Sequence, residues 1–179
     1  MVAKIPNSAD AVPVDAYSFD DSLGRICKQI NDCIGHILRF KLDQAHVDLS
    51  TDEWTVLAYL FEYEGLKQNQ IAAAVGRDKT AINRLIDGLE HKSLVRRQQD
   101  PEDKRINQVV LTPQAEQMKA RLHRLAADTL AIAWGGVAEA DKQATLRVLK
   151  QILANVSCSS VFDHVSNLDG LDRPEHPAH

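Results

Sequence analysis

The sequence is poor in cysteine, in long apolar runs and in catalytic motifs, and each shortage excludes a class of protein. Its three cysteines, Cys27, Cys33 and Cys158, show no C-x-x-C spacing, which argues against a disulfide framework and a structural zinc site. No apolar stretch reaches the roughly 18 residues that a membrane helix requires. Residues 1–19 lack the basic start and apolar stretch of a secretory signal and are expected to be disordered. We therefore expect a cytoplasmic protein with reduced thiols and no membrane association.

Sequence patterns of catalysis are missing as well. There is no H-E-x-x-H, G-x-S-x-G or P-loop motif, and the seven histidines show no paired metal-ligand spacing. Three of these histidines, His164, His176 and His179, fall in a weakly hydrophobic tail over residues 157–179 that we expect to be mobile. We expect no enzyme activity, no cofactor and no metal.

The distribution of charge along the chain is more informative about a binding partner than the net charge. A formal net charge of −4 taken alone argues against nucleic acid, because phosphate binding requires local positive potential. Residues 67–111, however, contain nine Lys or Arg against six Asp or Glu, a net of +3 that leaves −7 for the rest of the chain. The basic charge is therefore concentrated in one segment.

Hydrophobic periodicity and capping signals predict three helices in the first half of the chain. Apolar residues at three- and four-residue spacings predict an amphipathic helix from Asp20 to about Leu42. Ser50 and Glu53 form the S-x-x-E capping pattern, which predicts the start of a second helix that ends before Gly65. A brief third helix over 68–75 should stop at Gly76, which can adopt the left-handed conformation.

The second half is predicted to contain one more short helix, a hairpin and two long helices. The fourth helix runs from about Lys79 to Lys92 and presents a polar face. Strand-like runs over 94–99 and 106–111 flank an acidic, Pro-bearing turn, which predicts a β-hairpin. Thr112 and Pro113 open a helix that ends near Gly135, and a last helix covers about 139–155.

Two short helices joined by a tight turn and followed by a basic hairpin are typical of a winged helix-turn-helix. In that motif the second short helix enters the major groove, where polar side chains read base edges. The candidate contacts on this helix are Lys79, Thr80, Asn83 and Arg84. At the hairpin tip, Lys104 and Arg105 are placed to reach the minor groove, and Asp103 is placed to orient Arg105. Considered singly, these residues also fit a solvated helix face and an ordinary charged turn.

Three segments resemble successive parts of the MarR (multiple antibiotic resistance regulator) family. They are L-S-T-D-E-W-T-V-L, G-R-D-K-T-A-I-N-R-L-I-D-G-L-E and D-P-E-D-K-R-I-N-Q-V-V-L-T, and the resemblance spans roughly residues 23–155. The third segment is the most specific, because the family's wing has an Asp-x-Arg that Asp103 and Arg105 match. The resemblance implies a mainly α fold with a small β-hairpin wing, a winged helix-turn-helix and a helical dimerisation region.

The family is built as a two-fold dimer that binds double-stranded DNA at a pseudo-palindromic operator, so the resemblance implies a homodimeric repressor. It assigns dimerisation to residues 20–48 and 113–156 and DNA binding to residues 49–112. Relatives commonly bind a small aromatic or phenolic effector between these regions, and His36, Arg39 and Trp54 are the candidates for such a site.

Two other readings stay open. Cys27 lies near the position of the reactive cysteine in peroxide-sensing members of the family, and Arg25 and Lys28 beside it would favour the thiolate. This supports a redox-sensing regulator of the same fold, although the Tyr-rich surroundings of those sensors are missing. A winged-helix protein-interaction module without specific DNA binding would share the fold but lack the basic face.

Four positions depart from the family pattern. Lys67 stands where a Thr usually caps the third helix, Ser93 where a Gly usually ends the fourth, and Ala115 in place of another Gly. Gly88 replaces a basic or polar residue and should weaken its helix by roughly 1 kcal/mol relative to Ala, for no functional reason that the sequence provides. These departures put the local geometry in doubt and leave the fold unaffected.

Overall fold

A computed structural model describes residues 18–63, 65–99 and 107–156 of the protein and shows a mainly α fold with one small sheet. The elements in chain order are α1 (Leu23–Gln44), α2 (Thr51–Glu62), β1 (Leu66–Lys67), α3 (Gln68–Val75), α4 (Lys79–His91), β2 (Val95–Gln99), β3 (Asn107–Leu111), α5 (Pro113–Ala133) and α6 (Glu139–Val156). The predicted fold class is confirmed. Among the described residues, no helix is long and apolar enough to cross a membrane.

The helices begin where side chains can satisfy free backbone N–H groups. The capping box predicted at Ser50 is present, since the Glu53 N–H donates to Ser50 Oγ over 3.1 Å and the Ser50 N–H donates to Glu53 Oε2 over 2.8 Å. Asp78 caps α4 by accepting a hydrogen bond from the Ala81 N–H over 2.9 Å. Thr112 caps α5 in the same way, with Pro113 at the first helical position as predicted.

Left-handed backbone ends both helices of the helix-turn-helix. Gly76 has a φ of 68° and closes α3, as its sequence context predicts. Ser93 has a φ of 59° and follows α4, in the position where the family usually has Gly. The departure at Ser93 therefore leaves the turn geometry intact and places a residue with a Cβ in a conformation that favours glycine.

The sheet contains a strand that the sequence analysis missed. Its order is β1-β3-β2 and both pairings are antiparallel. The predicted hairpin is present as β2 and β3, with Val95 opposite Leu111 and Gln99 opposite Asn107. The omission of β1 from the predicted order was wrong; with two residues, this strand is too short to show an alternating pattern.

One apolar core joins α1, α2, α3, α4, the sheet and α5 within the compact unit Phe19–Ala133. Its largest fully buried apolar side chains are Leu42, Leu49, Leu57, Ile71, Ile82, Ile86, Leu89, Leu122, Val56 and Val109. Burial of this kind contributes roughly 25 cal/mol for each Å² removed from water, so the core is the main stabilising element of this unit. The helix α6 belongs to a second unit and has no buried residue.

Candidate nucleic-acid interface

The helix α4 has one apolar and one polar face, which places its polar residues outward. Ile82, Ile86 and Leu89 are fully buried. Lys79, Thr80 and Arg84 are exposed, as predicted for the face of a recognition helix. The spacing of three and four residues between the buried positions is what sorts the two faces.

Asn83 differs from the other three candidates on this helix. Helical spacing predicts that it lies on the polar face, but its side chain is half-buried, and its buried Oδ1 has no hydrogen-bond partner among the described residues. A buried acceptor that lacks a partner costs roughly 1–3 kcal/mol. Base reading by Asn83 therefore requires its side chain to rotate.

The basic residues around α4 fall into two groups that the sequence alone does not separate. Arg77, Lys92 and Arg97 form ion pairs with carboxylates of the same unit. Lys79 and Arg84 are exposed and form no ion pair with any described residue, and the same holds for Arg96 on β2. We call Lys79 and Arg84 the unpaired cations of α4. Together with Arg96, these two cations remain available to an anionic partner.

Polar contacts from α2 hold the helix-turn-helix in place. The Tyr59 hydroxyl donates to the Ala74 carbonyl near the end of α3 over 2.9 Å. At the turn between α3 and α4, Arg77 Nη2 lies 3.1 Å from Asp52 Oδ2 at the start of α2. Because these contacts join distant parts of the chain, no local sequence pattern indicates them.

A buried carboxylate joins the start of α2 to the end of α4. Glu53 accepts a hydrogen bond from Lys92 Nζ over 2.9 Å as well as from the Ser50 N–H. Burial raises the pKa of Glu53, but the hydrogen bonds from Ser50 and Lys92 and the positive charge of Lys92 outweigh it, so its pKa lies below the usual value. The carboxylate is thus held in its charged form.

The contact of Glu53 with α4 gives Gly88 a structural role. A Cβ added at position 88 would lie 2.9 Å from Glu53 Oε1, which is closer than real Cβ contacts allow. Gly88 therefore permits the carboxylate to approach the helix backbone. No local sequence pattern explains this residue, because the approach involves a side chain 35 positions away.

Arg97 links the strand β2 to α4 through two carboxylates. Its Nη2 donates to Asp87 Oδ1 over 2.7 Å, and its Nη1 forms an ion pair with Glu90. Its backbone N–H donates to Glu90 Oε1 over 2.8 Å. From the sequence, Arg97 was counted only as part of the basic segment, and this contact was missed. The one available signal was weak: an acidic residue, Glu90, lies seven positions earlier on the predicted fourth helix.

The predicted wing-tip residues Asp103, Lys104 and Arg105 lie outside the described residues. Their assignment to the minor groove stays a prediction. The described part of the wing consists of β2 and β3.

The three effector candidates occupy separate environments. His36 is exposed, and exposed Arg39 pairs with Asp43 over 3.1 Å. Trp54 is half-buried against the core and meets the ring of His123 edge-on, with 6.2 Å between centroids. Among the described residues, no hydrogen bond or ring contact joins these three candidates to one another, and their role as an effector site stays a prediction.

The redox candidate Cys27 is exposed, and so is Cys33, whereas Cys158 lies outside the described residues. The two cations beside Cys27 are bound to other carboxylates. Arg25 pairs with Asp20 over 3.2 Å, and Lys28 pairs with Asp32 over 2.6 Å. Within the described ranges, no group of three His, Cys, Asp or Glu side chains is placed to hold a metal ion.

Known proteins share the motif and the architecture. Residues 49–106 match the model of the MarR family. An uncharacterized HTH-type transcriptional regulator of Bacillus subtilis (strain 168), YdgJ, is 28% identical over 114 residues, which are 64% of this chain and 58% of that protein. The matched region thus spans less than two thirds of this relative.

Solved structures share this fold over most of the chain. A MarR-family regulator from Silicibacter pomeroyi aligns with a TM-score of 0.68 at 24% identity, over 81% of this chain and 97% of its own. The repressor CouR of Rhodococcus jostii RHA1, solved on a 23-mer DNA duplex, aligns with a TM-score of 0.67 at 24% identity, over 75% of this chain and 94% of its own. At these identities the likeness shows the fold.

The four short elements α3, α4, β2 and β3 therefore form a winged helix-turn-helix, the class of domain that the sequence predicted. The predicted resemblance to the MarR family is confirmed over residues 49–106, which match the model of that family.

Proposed function

We propose that the protein is a sequence-specific, double-stranded DNA-binding transcriptional regulator that acts in the cytoplasm as a repressor and catalyses no reaction. The observation that carries this proposal is the pair of unpaired cations of α4, Lys79 and Arg84, on the exposed face of the second helix of a helix-turn-helix. Carboxylates of the same unit neutralise Arg77, Lys92 and Arg97, which flank this helix, so on α4 itself these two charges are left for DNA phosphates and bases.

In this proposal α4 lies in the major groove. Arg84 bonds guanine or a phosphate, and Lys79 and Thr80 contact the backbone or base edges near the start of the helix. Asn83 bonds adenine once its side chain rotates outward, which also relieves its unpaired Oδ1. Asp103, Lys104 and Arg105 bring the wing to the minor groove.

We also propose that the protein acts as a homodimer on a pseudo-palindromic operator. Exposed apolar residues form a stripe along α6 at intervals of three and four: Leu146, Leu149, Leu153 and Val156. A second exposed stripe on α1 contains Leu23, Ile26 and Ile30. Burial of such stripes between two copies provides a two-fold interface, and the two α4 helices then meet major grooves about 34 Å apart.

A small aromatic or phenolic effector is proposed to regulate this dimer. CouR has been solved with p-coumaroyl-CoA, an aromatic ligand of that protein. An effector lowers DNA affinity only if it binds more tightly to a dimer whose α4 helices no longer match successive grooves. His36, Arg39 and Trp54 remain the candidate contacts, and binding through Arg39 requires its pair with Asp43 to open.

The proposal is tested by selecting duplexes from a random-sequence pool with the purified protein. We expect an enriched inverted repeat whose half-sites are centred about one helical turn apart, or a multiple of it. Failure to enrich any sequence would contradict specific DNA binding and favour the protein-interaction module.

The dimer is tested separately by sedimentation. Leu153 is 63% exposed, so Leu153→Lys should leave the fold of the subunit intact but place a charge in the proposed interface. We expect the wild-type chain to sediment as a dimer and the variant to dissociate. Gln151→Lys, at an exposed polar position of the same helix, is the matched control. A monomeric wild type, or a variant that still dimerises fully, would contradict the assignment of the α6 stripe.

A further inference from the structure

Arg97 makes the densest set of polar contacts between the wing and α4 among the described residues. It donates three hydrogen bonds to two carboxylates, from its guanidinium to Asp87 and Glu90 and from its backbone N–H to Glu90. Its side chain is only 25% exposed, and that of Glu90 is 31% exposed. Arginine that bridges carboxylates in this forked way fixes geometry, whereas an exposed single ion pair contributes little. Arg97, Asp87 and Glu90 are called the wing clasp below.

The neighbouring Arg96 shows that this orientation is specific. Successive side chains of a strand point to opposite faces of the sheet. Arg96 is exposed and forms no ion pair with a described residue, whereas Arg97 on the other face reaches α4. Arg96 and Arg97 carry the same charge, so the clasp forms because Arg97 lies on the face of β2 that is turned towards α4.

The position of the clasp near the end of β2 allows it to fix the orientation of the wing. The chain turns between α4 and β2 at Ser93, where the Leu94 N–H donates to the Leu89 carbonyl over 2.9 Å. The clasp holds β2 at a second point, Arg97, two residues before the strand ends at Gln99. The core holds Leu94 and Val95 at the start of the strand, and the clasp attaches the strand to α4 again further along, so the two attachments together fix the direction in which the strand leaves α4.

We infer that Arg97 is a positioning residue that holds the wing at a fixed angle to α4, so that the wing and the recognition helix contact DNA together. This inference rests on the proposed function. Arg97 itself acts through Asp87 and Glu90, which neutralise its charge, and is not a DNA contact. Loss of the clasp should therefore weaken binding even when the change makes the protein more positive.

The test removes the two carboxylates with the double variant Asp87→Ala/Glu90→Ala. This change makes the α4 region more positive by two charges, so an effect of charge alone would tighten DNA binding. The matched control is Glu116→Ala/Asp128→Ala, which removes two exposed carboxylates of α5 that form no ion pair with a described residue. Each protein is titrated with the enriched duplex at several salt concentrations, and circular dichroism and the DNA-binding active fraction report folding.

We expect the double variant to bind about tenfold more weakly than the wild type, the equivalent of about 1.4 kcal/mol. The slope of log K against log salt should become shallower by about one unit, because phosphate contacts of the wing are lost. Simple loss of folded protein would lower the active fraction without changing this slope. Arg97→Lys, which retains one cation but cannot bridge both carboxylates, should lie between the wild type and the double variant.

The inference is overturned if the double variant binds as tightly as the wild type, or more tightly, as a pure charge effect would give. Amide hydrogen exchange supplies a readout without DNA: we expect the β2 amides to exchange faster in the double variant than in its control. Unchanged exchange would also count against the clasp. A wild-type protein that binds no duplex would instead refute the proposed function, a failure recognisable before any variant is made.

Discussion

Replacement of Gly88 by alanine sets two physical effects against each other. In a half-exposed helix position, Gly→Ala stabilises by about 1 kcal/mol, since alanine loses less backbone entropy. At Gly88, however, the added methyl would lie 2.9 Å from Glu53 Oε1, so the carboxylate must retreat by about half an ångström to reach an ordinary contact of 3.4 Å. Which effect is larger depends on how firmly Glu53 is held.

The carboxylate of Glu53 accepts two hydrogen bonds that a retreat would weaken together. Its Oε2 accepts the Ser50 N–H, a hydrogen bond worth about 1 kcal/mol, and a charge-assisted hydrogen bond from Lys92 Nζ, worth about 1.5–3 kcal/mol. It is also 7% exposed, so water does not replace what is lost. If half of these contributions is lost, the cost of about 1.3–2 kcal/mol exceeds the gain of about 1 kcal/mol in helix propensity, and Gly88→Ala should destabilise by about 0.3–1 kcal/mol.

Urea unfolding at neutral pH measures this difference directly. Gly35→Ala in α1 is the control, because a Cβ there meets nothing within 4 Å, and it should stabilise by about 1 kcal/mol. In a Glu53→Ala background the contact no longer exists, so Gly88→Ala should become stabilising by a similar amount. A Gly88→Ala protein as stable as the Gly35→Ala protein would refute the reasoning.

Three further predictions concern stability. Because the pKa of Glu53 is lowered on folding, its charge stabilises the fold above its unfolded pKa, and this contribution is lost as pH falls through the folded pKa. Glu53→Gln should therefore be destabilising at pH 7, with the gap to wild type narrowing below about pH 4, in urea titrations. Tyr59→Phe should cost about 1 kcal/mol, because it removes the hydrogen bond to Ala74. Ser93→Gly should raise the melting temperature slightly, because glycine removes about 1 kcal/mol of strain at this left-handed position and loses somewhat less than that in backbone entropy on folding. A lower melting temperature would contradict this.

Signals within a few residues of one another predicted most of the fold. The capping box at Ser50, the left-handed Gly76 and the Thr112-Pro113 start of α5 are all present where the sequence indicated them. Such signals are reliable because the hydrogen bonds they make are local. The two-residue strand β1 was missed since its only evidence is its pairing with β3, more than 40 residues later.

The candidate site was predicted less completely, because charge alone does not show which cations are free. The basic segment was identified from its composition, but only packing separates Arg84, which forms no ion pair with a described residue, from Arg97, which two carboxylates neutralise. Likewise, helical spacing placed Asn83 on the polar face, yet neighbouring elements cover part of its side chain. Gly88 is explained only by its distance to Glu53.

The central claim is that the unpaired cations of α4 contact DNA, and the most direct test is a salt titration of Arg84→Met on the selected duplex. Arg84→Met should weaken binding at least about tenfold and reduce the salt slope by about one unit, or relax preference at one base pair. Arg124→Met is the matched control, since Arg124 is also exposed without an ion pair to a described residue but lies on α5. Equal affinities and equal slopes for the two variants would contradict the claim that α4 is the DNA-reading helix.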